Sequence, residues 1–220
     1  MRKLLMILLL AVLAAGCHGT LHSDITGSGK RETEKRQVAP FTSITTEGAF
    51  NIEVTCQKPL SVEVEADDNV LEYVSTNVTN NLLRLKNSRS ISVNEPVKIR
   101  ISVPNLEGLS VSGAGKIEIK GMNNEKFEID SNGAPSIVVS GTTKLIDINT
   151  NGAGKIDTHN LHATRGVVES NGVSRVDLDV ADQLDVTVSG PSSVFYKGDP
   201  VVNKNVHGPG KVEKRGSEGA

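Results

Sequence analysis

One glycine recurs through the second half of the chain at nearly constant spacing, and this limits the fold more than any other feature. Residues 111–119 (VSGAGKIEI), 131–139 (SNGAPSIVV), 150–158 (TNGAGKIDT), 170–178 (SNGVSRVDL), 188–196 (VSGPSSVFY) and 206–214 (VHGPGKVEK) are copies of one pattern. Their anchors, Gly113, Gly133, Gly152, Gly172, Gly190 and Gly208, lie 18 to 20 residues apart. A degenerate copy, TEGAFNIEV around Gly48, stands far upstream. Self-similarity at a fixed period of this size marks stacked repeats, because one unit cannot bury its apolar face alone.

Aligned on the anchor, the copies separate into columns. Four residues after it stand Ile117, Ile137, Ile156, Val176, Val194 and Val212; four before it stand Leu109, Ile129, Ile148, Val168, Val186 and then Lys204. Ile119, Val139, Thr158, Leu178, Tyr196 and Lys214 form a third column. Alternation with period 2 on both sides of the glycine predicts strand, tight corner, strand, looser corner in every copy. The anchor glycine is read as a corner that wants positive φ. Only 3 % of residues are aromatic, with no Trp, so Ile, Val and Leu must fill the core, and these favour sheet. Such units stack as coils of a β-solenoid, right-handed β-helix-like, or fold as an antiparallel meander in a sandwich. The column-wise match favours the solenoid, with Lys204 and Lys214 placing the last copy at an end that faces water.

Upstream, 38–104 is β-rich but irregular. Strands are expected over 44–54, 61–65, 81–86 and 97–103, with one helical turn after an Asp68 cap. The segment is expected to cover the first coil and blunt its open edge. The repeat array proper then runs over 105–215, so that 38–215 makes one domain, followed by a short tail at 216–220.

The first residues read as an address. Arg2 and Lys3 precede an apolar run over 4–15, too short to span a bilayer, that ends in small residues. Leu13-Ala14-Ala15-Gly16-Cys17 resembles the lipobox of bacterial lipoproteins. That resemblance implies a signal peptide over 1–16 and lipid on Cys17, and His18 after it favours the outer membrane of a Gram-negative cell. More than one acyl chain is what durable anchoring requires. Residues 17–37 carry no apolar periodicity and are expected to act as a polar tether. Cys56 is then the one thiol left, in a setting that suits packing better than chemistry. A net charge of −2 gives no electrostatic reason to expect nucleic acid.

Phe41, Ile44, Gly48, Ile52-Glu53-Val54, Val62 to Asn69, Val103-Pro104-Asn105-Leu106 and Leu109 to Gly115 together resemble the head GIN domain of auto-transporter adhesins, a domain of unknown function in bacterial envelope proteins. The reiterated Ser-Gly-Ala-Gly is the specific part, and the likeness covers about 38–215. It implies a β-helical solenoid on secreted or lipid-anchored chains, with no catalytic residues to carry over. The chain departs from the motif at Asn132, Asn151 and Asn171 in place of Ser, and at Pro191 and Pro209 in place of Ala.

Candidate chemistry is sparse. Lys155 and Arg175 stand two residues before Asp157 and Asp177, and with Phe195 they form a possible outward strip for glycan or protein; an exposed ion-paired face with no ligand explains the same residues. The Asn column is expected to hydrogen-bond along the stack at its corner. Asp130, Asp157, Asp177 and Asp179 could serve a β-helical polysaccharide lyase, but they fall in different columns. His159 and His162 lack a visible third ligand, so neither a metal nor another cofactor is expected. The expected function is therefore that of a non-catalytic, lipid-anchored envelope protein that binds or scaffolds, adhesin-like, with a glycan or an envelope protein as partner. The alternatives are a carbohydrate-active β-helix enzyme and an envelope accessory in stress signalling.

Overall fold

Alternating β-branched and polar residues form strands almost throughout the computed structural model, which describes residues 24–215. Lipidation of Cys17 and the signal peptide fall outside the described residues. The N-terminal strands are β1 (Ile25–Thr26), β2 (Arg31–Arg36), β3 (Ser43–Glu47), β4 (Ala49–Cys56) and β5 (Ser61–Asp67). After a 3-10 turn at Leu71–Tyr73 come β6 (Val74–Thr79), β7 (Leu82–Asn87), β8 (Ile91–Ser92), β9 (Val97–Val103) and β10 (Gly108–Val111). The array comprises β11 (Ala114–Ser131), β12 (Ala134–Thr150), β13 (Lys155–Ser170), β14 (Arg175–Ser189), β15 (Ser193–Lys197), β16 (Val201–His207) and β17 (Lys211–Lys214).

Every pairing from β10 to β17 is parallel, which excludes the meander and makes the protein a β-solenoid of about five turns. The register is the one the columns require. Ile117 pairs with Ile137, that with Ile156, then Val176, Val194 and Val212. Leu109, Ile129, Ile148, Val168 and Val186 stack in the same way and are buried. The looser corner is a register shift inside one long strand, between Ile119 and Met122 in β11 and between Val138 and Ser140 in β12. Bulges of this kind bend a strand without ending its hydrogen-bond ladder.

Stacking does not follow the sequence at one place. β3 and β4 pair in parallel with β10 and β11 on one side and with β7 and β9 on the other. The turn carrying Gly48 thus lies between the later segment 82–103 and the array. The degenerate copy, distant in sequence, is the nearest neighbour of the first regular copy, with Ile52 opposite Ile117. The upstream segment therefore supplies coils as well as a cover. The expected strand over 44–54 is broken at Gly48, where β3 ends and β4 begins.

Three further expectations are corrected. The tether does not extend to Gln37: β2 lies antiparallel on β5 over six residue pairs, and β1 pairs with β8. Strand pairing joins backbone to backbone, so a charged stretch can serve as an outer strand without apolar periodicity. The helical turn forms, but Val70 heads it and no side chain caps it; the Asp68 carboxylate accepts from Ser28 Oγ and Asn69 N–H instead.

The third correction concerns the anchor glycines. Positive φ occurs at Gly48, Gly190 and Gly208 but not at Gly113, Gly133, Gly152 or Gly172. At these four, a Cβ would lie 1.9–2.0 Å from the carbonyl oxygen of the anchor glycine in the turn below. Close backbone approach, rather than backbone conformation, demands glycine in the middle of the stack.

Candidate functional site

The outward side chains of the first half of each turn form the strip. Pairing sets Asp157 beside Asp177 and Asp177 beside Phe195, while Lys155, Arg175, Ser193 and Lys211 run alongside. Lys155 Nζ lies 3.1 Å from Asp157 Oδ2, and the ring of His159 also bonds this carboxylate. Burial works to raise the Asp157 carboxyl, but hydrogen bonds from His159 and Lys155 outweigh it and hold the group below its ordinary range. A carboxylate held ionised in this way cannot act as a general acid near neutrality.

One turn further on, the acid of the expected exposed pair is buried while its arginine stays exposed. Asp177 is only 2 % exposed. Arg175 Nε bonds its Oδ2 at 2.9 Å, and the Arg215 guanidinium lies 2.8 Å from its Oδ1. Arg175, Lys211 and Arg215 stand 4.4, 4.9 and 5.3 Å from the centroid of the Phe195 ring. The aromatic face and the two guanidiniums shield the carboxylate from water, which is why it is buried where an outward residue was expected. Arg215 escaped the sequence reading because it follows the last copy and belongs to none of its columns.

At the corner, Asn151 Nδ2 donates to Asn132 Oδ1 at 3.2 Å, and Asn171 Nδ2 donates to Asn151 Oδ1 at 3.1 Å. These bonds run along the stack and are spent on structure. Cys56 is buried, and burial pushes its thiol up to about 11, so it presents no nucleophile.

A second feature is a groove of about 1030 Å³ beside the crossover into the array, with Ser110, Asn123, Glu128, Asp130, Thr142 and His162 among its walls. Lys126 reaches Glu128 at 3.1 Å and Asp147 at 3.4 Å. Asp130 has no ion pair among the described residues. Burial first, then the charges of Glu128 and Asp147, raise its carboxyl against the weaker pull of Lys126. Asp130 stands on the second half of its turn, whereas Asp157, Asp177 and Asp179 stand on the first half of theirs. Asp179 is held by His162 at 2.7 Å and by Lys197 at 3.9 Å. The four aspartates are therefore not brought together. Among the described residues no three His, Cys, Asp or Glu side chains are grouped for a metal ion.

Residues 40–200 match the family described as "Putative auto-transporter adhesin, head GIN domain". The chain belongs to that family. Among solved structures, this head GIN chain is similar to a putative adhesin from Bacteroides fragilis, at 24 % identity over 87 % of this chain and 100 % of that one, with a TM-score of 0.73. It is also similar to a putative adhesin from Parabacteroides merdae, at 18 % identity over 88 % and 100 %, with a TM-score of 0.52. A putative lipid binding protein from Parabacteroides distasonis matches at 20 % identity over 88 % and 100 %, with a TM-score of 0.50. At such identities the likeness shows a shared fold. No curated protein matches the sequence.

Proposed function

We propose that this head GIN protein is a non-catalytic binding module of the bacterial cell envelope, lipid-anchored through Cys17 on the outer membrane and adhesin-like toward a glycan or an envelope protein. The observation that carries this reading is the direction of the stack. The N-terminal strands pack at one end, on β5 and β8, and the array runs from there to the Phe195 knot in the last turns. An anchor before β1 holds the far end away from the bilayer, and Lys155, Asp157, Arg175, Asp177 and Phe195 lie toward that end. The family and its structural relatives, described as adhesins, support the same reading.

The test is binding of the purified mature chain to a glycan array and to isolated envelope fractions. Saturable binding without release of reducing ends is expected. The groove favours a second reading, because a carboxyl raised by burial beside a cleft suits a general acid acting on a polysaccharide. Reducing ends released by the native protein and lost in Asp130→Asn would replace the binding role with a catalytic one.

A further inference from the structure

Among the described residues, nothing is laid over the last coil of the stack. β16 pairs with β14 and β17 with β15, and no described strand pairs the other edge of either. An uncovered strand edge presents a row of free N–H and C=O groups. The core also runs out to this edge. Val202, Val206 and Val212 continue the inward columns of Leu184, Val188 and Val194, yet Val206 is 37 % exposed and Val202 and Val212 are only half-buried. The next turn that would cover them is missing among the described residues.

Charge identifies what fits there. Between Gly190 and Arg215 the chain carries Lys197, Lys204, Lys211, Lys214 and Arg215 against Asp199 and Glu213, a net of +3 in a protein whose total is −2. Lys204 and Lys214 occupy positions in the inward columns, where every earlier turn has an apolar residue or Thr158; both are exposed at the open edge, and the Lys214 ammonium is held by Asp199. Lys204 makes no ion pair among the described residues. Two such ends facing each other repel, which disfavours tail-to-tail pairing of this chain.

We propose that the C-terminal coil, β16 and β17, binds an acidic extended segment of a partner protein, which adds as a further strand and continues the stack. Backbone hydrogen bonds supply affinity, alternate apolar residues cover Val202, Val206 and Val212, and acidic residues meet Lys204 and Lys214. This rests on the binding role proposed above and assigns it a surface and a partner class.

The probe is a labelled fourteen-residue peptide, matched to 201–214, of alternating Val and Glu with Gly-Gly at its centre to follow the corner. It is titrated into the full mature chain, with a Val and Lys peptide of the same layout as control. The acidic peptide is expected to bind and to weaken several-fold between 50 and 200 mM salt. It should slow amide exchange over 201–214, which attraction between side chains alone would not do. Lys204→Glu with Lys214→Glu should weaken it about tenfold or more, whereas Lys116→Glu with Lys120→Glu, both on one distant turn, should not. Equal binding of the basic peptide, or exchange unchanged over 201–214 in the native protein, would overturn the proposal whatever the variants do. A dimer that dissociates in the Lys204→Glu, Lys214→Glu variant would give the edge to a second copy of this chain and would overturn it as well. If envelope fractions or glycans bind while the peptide fails, the binding role stands and this surface is wrong.

Discussion

A methyl group at position 152 would have to share space with the Gly133 carbonyl oxygen, 1.9 Å from the place its carbon must occupy, and that oxygen belongs to backbone that cannot swing aside. Gly152→Ala should therefore destabilise the protein by at least ~2 kcal/mol in denaturant melts, within the range for forced overpacking. Asn, which tolerates positive φ, should be no better there than Ala. Gly29 supplies the contrast: its φ is 80° but nothing stands within 4 Å of an added carbon, so Gly29→Ala should cost only about 1 kcal/mol and Asn less. Lys155→Ala, which removes an exposed ion pair, should stay within about 0.5 kcal/mol. Cys56 makes a second prediction at this scale. Its folded thiol keeps its proton up to about 11, against an ordinary value of 9.0. The unfolded chain releases its proton first as pH rises, so this contribution to stability is intact below pH 9 and is lost toward pH 11, by at most about 1.4 kcal/mol per unit. In a Cys17→Ser background, iodoacetamide at pH 8 should leave the folded protein unmodified and label the unfolded one.

Elements with a clean buried alternation were legible in the sequence; β6, which buries Val74 alone, and elements that bury only backbone were not. β9 matches its expected span of 97–103 because VKIRISV alternates cleanly and every second residue is buried. β2, RETEKR, has no buried residue at all, and only its six-residue pairing with β5 makes it a strand. Its charges find partners across the pair, Arg31 near Glu65 and Asp67 and Lys35 near Glu63. Net gains of about 0.5–1.5 kcal/mol per hydrogen bond make the strand worth about 3 kcal/mol. A chain lacking residues 24–36 should lose stability on that order, read as a lower denaturant midpoint, whereas a free tether would be lost without effect. The strip was half legible for a related reason. Column spacing placed Arg175, Asp177 and Phe195 side by side, but the burial of Asp177 depends on Arg215, which lies outside the repeat.

The described residues form one stack with two unlike ends, an N-terminal end layered with antiparallel strands and a basic C-terminal end whose edge no described strand covers. If Cys17 carries the lipid proposed for it, Cys17→Ser should move the protein from the detergent phase to the aqueous phase, or hold it as a precursor; unchanged partitioning would remove the anchor from the picture. Lys204 and Lys214 marked the last coil as terminal in the sequence, but the order of stacking at the other end was not legible, because the Gly48 turn and the first regular turns offer the same aliphatic columns to any neighbour. The structure inserts the Gly48 turn between 82–103 and the array, opposing Asn51 to Lys98 on one side and to Lys116 on the other. Disulfide trapping tests this directly, since neighbouring parallel strands bring paired Cα atoms within bridging range and strands two apart do not. The pair Asn51→Cys with Lys116→Cys should close under mild oxidant, shifting mobility on a non-reducing gel, while Lys98→Cys with Lys116→Cys should stay open. Bridging of 98 to 116 with none of 51 to 116 would mean that the coils stack in sequence order, and the arrangement described for this protein would be wrong.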